Sequence, residues 1–364
     1  MPNIKALTKT LLDGCVIPSN SGIRLYTPDG MANYPALWTR DFAYMVEYAG
    51  DLLADTDIQN AIEYLIGGAD KNGWIPDRVD QNGCPRYTAG GDDFPALPNL
   101  DNGSFLIIAA DAFLEKLTAP RAAELFSWWK EALVKGILCL PTDENGFIEN
   151  VSTPLHSPYG FTDTIAKSGL LCFETLLLWK AQKALLKRLG KSDALAAELQ
   201  KNVDSIEKNL TRVFMDESGM LLAATGQCRQ IDVWASCLAI SIGFPLTKTE
   251  KAGISAWVIR NYASVVQKGQ IRHLPSGEYW EKTLIPVEQG TYQNGAYWAT
   301  PTGWFVDAIM DDDPFLALQT ARDVLTDFEE NGVYECINGD YRKLDTYVAS
   351  AANVYGMCKK HKLI

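Results

Sequence analysis

The sequence contains six similar segments at nearly regular spacing, and this repeat restricts its fold more than any other feature. Each segment is rich in small and aromatic residues, carries little charge and has Asp or Asn near its start. The leading residues are Asp41, Asp101, Asp163, Asp232, Asn294 and Asp345, at intervals of 60, 62, 69, 62 and 51 residues. These intervals are close to one sixth of the 364-residue chain. Because a hairpin of two ~15-residue helices with its loops needs roughly sixty residues, the repeat predicts six helical hairpins.

Six amphipathic segments alternate with the repeat and have clear helix-end signals. They cover residues 2–13, 56–66, 120–137, 191–214, 247–266 and 314–330. Thr247 and Glu250 form a capping-box pattern, and Pro314 follows Asp313 at the start of the last segment. Helices with one polar face lie outside, whereas helices that are apolar on most sides must be enclosed. We therefore predict an all-α (α/α)6 toroid with long loops at one rim, formed by a single domain of residues 1–364 and closed by the helix at 2–13.

The leading Asp and Asn residues have an ordinary structural explanation and a functional one. Both residue types are common helix N-caps, which alone would account for them. In a toroid, however, all six inner helices would start at one end, so their N-termini and preceding loops would line one cavity. Such a polar rim suits ligands rich in hydroxyl groups.

Charge and composition exclude several classes of partner. The chain has 33 basic and 45 acidic side chains, a net charge of −12, which argues against binding nucleic acid or anionic lipid. Of the apolar stretches, Val233 to Thr247 runs fifteen residues without a charge, which is shorter than the ~18 that a membrane span needs. The first thirty residues lack the pattern of a secretory signal, so we expect a cytoplasmic protein. The eight cysteines form no CxxC pair, which favours buried thiols over disulfides or reactive groups.

Motifs for metal, serine and nucleotide chemistry are missing from the sequence. It has three histidines and no HExxH, GxSxG, phosphate-loop or GxGxxG motif, so we expect no metal and no cofactor. His156 and His273 leave open a histidine-based sugar epimerase.

Two segments carry a resemblance to a known family. Tyr34-Pro-Ala-Leu-Trp-Thr-Arg-Asp41 resembles a Trp-Thr-Arg-Asp motif that opens an inner helix, and Leu100-Asp-Asn-Gly-Ser-Phe105 is similar to the start of a second one. The sequence thereby resembles the six-hairpin glycosidases, most closely the glucoamylase-like glycoside hydrolases, over nearly its whole length. This resemblance implies that Arg40 and Asp41 bind sugar hydroxyls beside the scissile bond.

The same resemblance implies a pair of catalytic carboxyl groups. It places the general acid at the start of the third inner helix, which matches Asp163, and the general base in the loop before the last inner helix, which matches Glu335. Glucoamylases carry Glu at the acid position, so Asp163 departs from their pattern. Inverting hydrolysis needs a protonated and an ionised carboxyl ~6.5–9.5 Å apart, which neighbouring rim loops can supply. We predict an exo-acting, inverting glycoside hydrolase of an oligosaccharide, with the pKa of Asp163 raised by burial.

Further residues are predicted to bind the substrate through aromatic stacking or hydrogen bonds. The full set is Trp38, Arg40, Asp41, Asp101, Asn102, Glu288, Tyr292, Asn294, Tyr297 and Trp298. Glu278, Glu281 and Glu288 compete with Glu335 for the role of base. A sugar phosphorylase, which a basic pocket opposite the acid would mark, and a catalytically silent carbohydrate-binding toroid remain alternatives to hydrolysis.

Overall fold

The computed structural model describes residues 3–190 and 193–364, and within these ranges thirteen α-helices form two concentric rings. The outer helices are α1 (Ile4–Gly14), α3 (Asp55–Gly67), α5 (Ala119–Leu138), α7 (Ala194–Phe214), α9 (Lys248–Arg260) with the short α10 (Tyr262–Val265), and α12 (Pro314–Asn331). The inner helices are α2 (Thr39–Ala49), α4 (Asn102–Leu114), α6 (Cys172–Arg188), α8 (Val233–Ser241), α11 (Thr302–Ile309) and α13 (Val348–Lys360). All six predicted outer helices are present; residues 2, 191 and 192 of the predicted segments lie outside the described residues.

The inner ring closes on itself. Each inner helix packs against the next, α13 packs against α2, and α1 packs on the outer side of α13. Nearly every residue of α4 and α8 is buried, as enclosed helices require. The predicted (α/α)6 toroid is therefore confirmed, with the N-terminal helix closing the ring.

Local sequence signals explain where the outer helices begin. Thr247 and Glu250 form both hydrogen bonds of the capping box at α9. The side chain of Asp313 accepts from the backbone N–H of Leu316, and Pro314 occupies the first turn of α12. These contacts satisfy backbone donors that have no partner inside the helix.

The leading residues of the repeat start fewer helices than their spacing predicts. Only Asp232 caps its helix with its side chain, which accepts from two backbone N–H groups of α8. Asp41 lies in the first turn of α2, whereas Asp163 and Asn294 lie in loops well ahead of α6 and α11. The prediction that inner helices begin at Asp163 and Asn294 is wrong, because both side chains make hydrogen bonds to loop groups instead.

Short antiparallel strands shape the loops at one rim. They are β1 (Val16–Pro18), β2 (Arg24–Tyr26), β3 (Ala36–Trp38), β4 (Arg78–Asp80), β5 (Pro85–Arg86), β6 (Glu149–Asn150), β7 (Gly169–Leu170), β8 (Val266–Gln267), β9 (Gln270–Ile271), β10 (Cys336–Asn338) and β11 (Tyr341–Lys343). Every strand lies in a segment that leads from an outer helix into the next inner helix. These segments therefore bring residues from distant repeats together where the inner helices start.

The core fills the space between the rings and the centre of the inner ring. Tyr44, Phe173, Trp234 and Trp304 pack against one another along the axis. All eight cysteines are free thiols, and six of them are buried. Among the described residues, no helix combines the length and apolar character needed to cross a membrane.

Candidate active site

A cavity of about 200 Å³ opens at the rim where the inner helices start. Six aromatic side chains form much of its wall: Tyr34, Trp38, Phe94, Phe161, Tyr292 and Tyr347. Three carboxyl groups also line it: Asp41, Asp163 and Glu335. The volume is below the range of about 300–1,000 Å³ common for drug-sized ligands, so the cavity suits a small ring.

Asp163 favours its protonated form near neutral pH. It follows a 3-10 turn, Gly160–Thr162, in the loop ahead of α6. Burial raises its pKa to about 8, although the positive charge of Arg40 and a hydrogen bond from Gln293 favour ionisation. Nε2 of Gln293 donates to Oδ1 of Asp163 at 2.8 Å. A carboxyl group in this state can donate a proton at neutral pH.

Glu335 is held as a potential base by a β-hairpin. Cys336 pairs with Lys343 across β10 and β11, so Glu335, which immediately precedes β10, lies beside Lys343. Nζ of Lys343 is 3.1 Å from Oε2, and the hydroxyl of Tyr34 donates to Oε1 at 3.3 Å. Burial raises the pKa of Glu335 to about 7, while Lys343 and Tyr34 favour the carboxylate. Above that pH the group can accept a proton from water.

Asp41 presents a third carboxyl group from the first turn of α2. The hydroxyl of Tyr347 donates to its Oδ1 at 2.6 Å. Burial raises the pKa of Asp41 to about 6, partly offset by the bond from Tyr347. Asp41 is therefore mainly ionised at neutral pH, where it can accept hydrogen bonds from ligand hydroxyls.

Arg40 lines the cavity, but acidic and amide side chains hold its guanidinium. Nε donates to Oδ2 of Asp101 at 3.2 Å, and Nη2 donates to Oδ1 of Asp77 at 2.5 Å and to Oδ1 of Asn102 at 3.2 Å. All four residues are buried. Asp101 and Asn102, predicted to bind substrate, lie behind the cavity wall and hold Arg40. Such a buried charge is tolerated because it is paired and hydrogen-bonded.

Gly160 joins the Arg40 network to the turn that carries Asp163. A Cβ atom at this position would lie 1.6 Å from Nε of Arg40, so only glycine fits without displacing the guanidinium. The backbone N–H of Gly160 also donates to Oδ2 of Asp101 at 2.7 Å. The network and the turn therefore form one packed unit.

Trp38 contributes its side chain to the cavity wall and has a buried indole N–H. Among the described residues, its buried Nε1 has no partner. The guanidinium of Arg78 lies 4.5 Å from the Trp38 ring centroid and donates to the carbonyl oxygens of Thr88 and Gly90 at 2.9 and 2.8 Å. Arg78 thereby ties the neighbouring glycine-containing loop to the cavity wall.

The other predicted aromatic residues occupy different layers. Tyr292 lines the cavity, and Nζ of Lys343 lies 3.7 Å from the centroid of its ring. Trp298 is fully buried and stacks on Phe161 with 5.2 Å between ring centroids. Tyr297 is buried and is absent from the cavity wall. Of these three, Tyr292 alone reaches the cavity.

The remaining predicted polar residues do not line the cavity. The side chain of Asn294 accepts from the backbone N–H of Trp280 at 3.0 Å and donates to the carbonyl of Val287 at 3.1 Å. It therefore stabilises its own loop. The three alternative bases are exposed and lie outside the cavity wall: Glu278, Glu281 and Glu288.

Neither histidine considered for epimerase chemistry contributes to the cavity wall. His156 stacks on Trp74, and His273 stacks on Trp234 with 3.8 Å between ring centroids. In the described part of the chain, no group of three or more His, Cys, Asp or Glu side chains is arranged to hold a metal ion.

Several residues that organise this site are not singled out by the sequence patterns. They are Tyr34, Asp77, Gln293, Lys343 and Tyr347. Tyr34 begins the segment that resembles the glycosidase motif, and Gln293 lies between two predicted residues, so their positions offered a signal. Asp77, in a loop, and Lys343, at the end of β11, stand in sequence that offers none.

Comparisons of the sequence itself give no relative. No protein-family model matches the chain. No curated protein matches it either.

Comparisons of the structure give several similar folds. The GH63 mannosylglycerate hydrolase from Thermus thermophilus, in complex with glucose, is similar with a TM-score of 0.70 and 15% sequence identity, over 97% of this chain and 99% of that chain. The rhamnosidase from Klebsiella oxytoca with rhamnose bound is similar with a TM-score of 0.68 and 13% identity, over 100% of this chain and 64% of that chain. A further glycosidase structure has a TM-score of 0.70 and 11% identity, over 99% of this chain and 96% of that chain. These similarities and the closed double ring of helices show that the chain has the (α/α)6 toroid fold of the six-hairpin glycosidases.

Proposed function

We propose that this protein is a glycoside hydrolase that removes a terminal sugar from an oligosaccharide with inversion of configuration. The observation that carries this proposal is the presence of Asp163 and Glu335 in one cavity, where Glu335 has a salt bridge to Lys343 and Asp163 accepts from the neutral amide of Gln293. Asp163 is buried and favours its proton, whereas Glu335 is flanked by a lysine and a tyrosine that favour its carboxylate. Glycosidic cleavage by inversion requires this division of roles.

In the proposed reaction Asp163 acts as the general acid. Its proton is transferred to the glycosidic oxygen as the bond from that oxygen to the anomeric carbon breaks, and the alcohol leaves. Glu335 acts as the general base. It removes a proton from a water molecule whose oxygen attacks the anomeric carbon from the opposite face, which inverts the configuration.

Three groups are suited to hold the terminal sugar. Trp38 lines the cavity and offers an aromatic ring to one face of a sugar. Asp41 offers a carboxylate to sugar hydroxyls beside it. Phe161 supplies an apolar ring surface for the sugar face. The small cavity favours one terminal ring, and thereby exo-action, over an extended chain.

The charges around the cavity favour hydrolysis over phosphorolysis. Phosphate as the attacking group would need a cation free to bind it. Among the described residues, Arg40 is the one cation in the cavity wall, and its guanidinium is held by Asp77, Asp101 and Asn102. Lys343, just behind the wall, is paired with Glu335. Water therefore suits the site better than phosphate does.

The proposal is tested by incubating the protein with a panel of neutral oligosaccharides and aryl glycosides and following the products by NMR. We expect release of a terminal sugar whose first-formed anomer has the configuration opposite to that of the substrate. Retention would contradict the assignment of Glu335 as base, because retention needs a nucleophile instead. Binding of saccharides without turnover would support a silent carbohydrate-binding protein.

A matched pair of variants separates the candidate bases. Glu335→Gln removes the buried base, while Glu288→Gln changes an exposed loop residue outside the cavity. Activity that survives Glu335→Gln and is lost in Glu288→Gln would move the base to the loop ahead of α11.

A further inference from the structure

Gln293 is the buried side chain in direct contact with the carboxyl group of Asp163. Its side chain is 1% exposed and lies in the loop ahead of α11. Oε1 accepts from the backbone N–H of Thr164 at 2.8 Å and from the Thr164 hydroxyl at 2.6 Å. Nε2 donates to Oδ1 of Asp163 at 2.8 Å and to the carbonyl oxygen of Gly160 at 3.1 Å.

The backbone partners determine which way the amide points. A backbone N–H can only donate, so the group that faces Thr164 must be the amide oxygen. A backbone carbonyl can only accept, so the group that faces Gly160 must be the amide nitrogen. The nitrogen therefore also faces Asp163, and Oδ1 of Asp163 is an acceptor whether or not this carboxyl group is protonated.

We propose that Gln293 is a positioning residue that places the acidic proton of Asp163 on Oδ2. A proton on Oδ1 would leave Nε2 of Gln293 with a hydroxyl oxygen as its acceptor, which is weaker than a carbonyl oxygen, so the bond from Gln293 favours the proton on Oδ2. Among the described residues, Oδ2 has no hydrogen-bond partner, so it is the oxygen that can present the proton to a leaving group. This inference rests on the proposed function, since it assumes that Asp163 is the general acid.

Gln293 is itself held rigidly, as a positioning residue must be. Its backbone carbonyl accepts from Nε1 of Trp280 at 3.0 Å. The backbone N–H of Trp280 in turn donates to the side chain of Asn294 at 3.0 Å. By bridging Gly160 and Thr164, the Gln293 side chain clamps both ends of the turn that carries Asp163.

The bond from Gln293 also affects the titration of Asp163. The charged groups that act on Asp163 are Arg40 on α2, Asp77 ahead of β4 and Asp101 at the start of α4. Tyr34 and Tyr292, from two other loops, face it across the cavity. The carboxyl groups of Asp41 and Glu335 also face it there.

Burial raises the pKa of Asp163 to about 8, and the hydrogen bond from Gln293 opposes this rise because it stabilises the ionised form. Removing the donor should therefore raise the pKa further.

Neutron diffraction of the wild-type protein, exchanged into D₂O at a pH about two units below the pKa of Asp163, tests the placement directly. We expect a deuterium atom on Oδ2 and the amide deuterium atoms of Gln293 directed at Oδ1 and at the Gly160 carbonyl. A deuterium atom on Oδ1 would overturn the proposal. This measurement needs neither a variant nor a substrate, so it is independent of whether the protein hydrolyses glycosides.

A variant tests the consequence for titration and turnover. Gln293→Met is similar in size but can neither donate nor accept. The titration of Asp163 is followed by ¹³C NMR of labelled aspartate, and its signal is assigned with Asp163→Asn. We expect the midpoint of this titration to rise by about one pH unit in Gln293→Met. On a hydrolysed substrate we expect kcat to fall at least tenfold, KM to stay within threefold, and the alkaline limb of the pH profile to move to higher pH.

Gln230→Met is the matched control. Gln230 also bridges two backbone groups, accepting from Glu281 N–H at 2.8 Å and donating to the Tyr279 carbonyl at 2.9 Å, without touching a cavity carboxyl. It should lower the melting temperature and leave the midpoint of Asp163 in place. If Gln293→Met behaves in the same way, Gln293 has a structural role only and the proposal is overturned. If the midpoint moves but the wild type hydrolyses no glycoside, the proposed function fails while the coupling of Gln293 to Asp163 stands.

Discussion

The two ends of the inner helical ring both carry acidic side chains, but these groups are in opposite electrostatic states. At the rim where the helices start, burial raises the pKa of Asp163 to about 8 and that of Glu335 to about 7. At the other end, the pKa values of Asp51 and Asp307 are lowered, because hydrogen bonds from lysine, tyrosine, serine or histidine side chains outweigh the effect of burial.

Both ends also contain a cavity, so a cavity alone does not mark the site. The one at the far end is larger, about 300 Å³, and is lined by Glu47, Lys180, Asp307 and Lys360 among others. There each acid has a cation beside it: Glu47 pairs with Lys180 and Asp307 with Lys360. Groups able to exchange protons at neutral pH therefore arise where burial outweighs the neighbouring cations, as it does for Glu335 beside Lys343, rather than from the presence of acids or of space.

The largest expected difference between the two ends is in turnover. Asp163→Asn and Glu335→Gln should each lower kcat by at least ~100-fold, because general acids and bases contribute about 10²–10⁴. Asp307→Asn at the far end should leave kcat within twofold. Steady-state kinetics gives kcat for each variant, and circular dichroism checks that each one is folded. Equal losses of kcat at both ends of the ring would contradict the assignment of the catalytic groups to the rim.

Stability should depend strongly on the buried charge of the rim. Arg40→Met leaves Asp101 buried without a cation and Asp77 paired with Arg78 alone, which we expect to cost about 3–5 kcal/mol. Lys359→Met breaks a partly exposed pair with Asp51, for which about 0–1 kcal/mol is typical. Urea unfolding of both variants gives the two values. A small loss for Arg40→Met would mean that the rim network contributes little to the fold.

Removing Lys343 should raise the pKa of the proposed base, Glu335, and so increase the difference in pKa between the acids at the two ends of the ring. Lys343 is the main group that lowers the pKa of Glu335 against its burial. In Lys343→Met the pKa of Glu335 should rise by about one unit, so the acidic limb of the kcat/KM profile moves to higher pH. Asp163 must stay protonated, which requires a pH below its pKa of about 8, so the pH range of activity becomes narrower. An unshifted acidic limb would argue against Glu335 as base.

The smallest expected effect is a pH-dependent gain in stability. The folded-state pKa of Asp163, about 8, exceeds the ordinary value of 3.8, so its contribution to stability is greatest below 3.8 and is lost as the pH rises through 8. Asp163→Asn should therefore raise the melting temperature by about 2 °C or more at pH 8 and by less at pH 5. Asp307 has a lowered pKa, so Asp307→Asn should instead lose stability at pH 8. Calorimetry at both pH values tests the sign.

The toroid could be predicted from the sequence, because burial in each hairpin follows a local period. The helix-end signals at Thr247 and Pro314 lie within one turn of the helices they start, so they could be read without tertiary structure. The motif around Trp38 and the leading residues of the repeat likewise pointed to the rim.

Which side chains meet at the rim, by contrast, depends on the tertiary structure. Gln293 contacts Asp163 across 130 positions, and Asp77 contacts Arg40 from a loop of the next repeat. These contacts modify protonation equilibria that burial mainly determines. No local sequence pattern predicts them, because the loops that carry them have no repeating burial signal. Whether a rim residue contacts a ligand or holds another side chain, as Asp101 does, depends on the path of those loops in three dimensions.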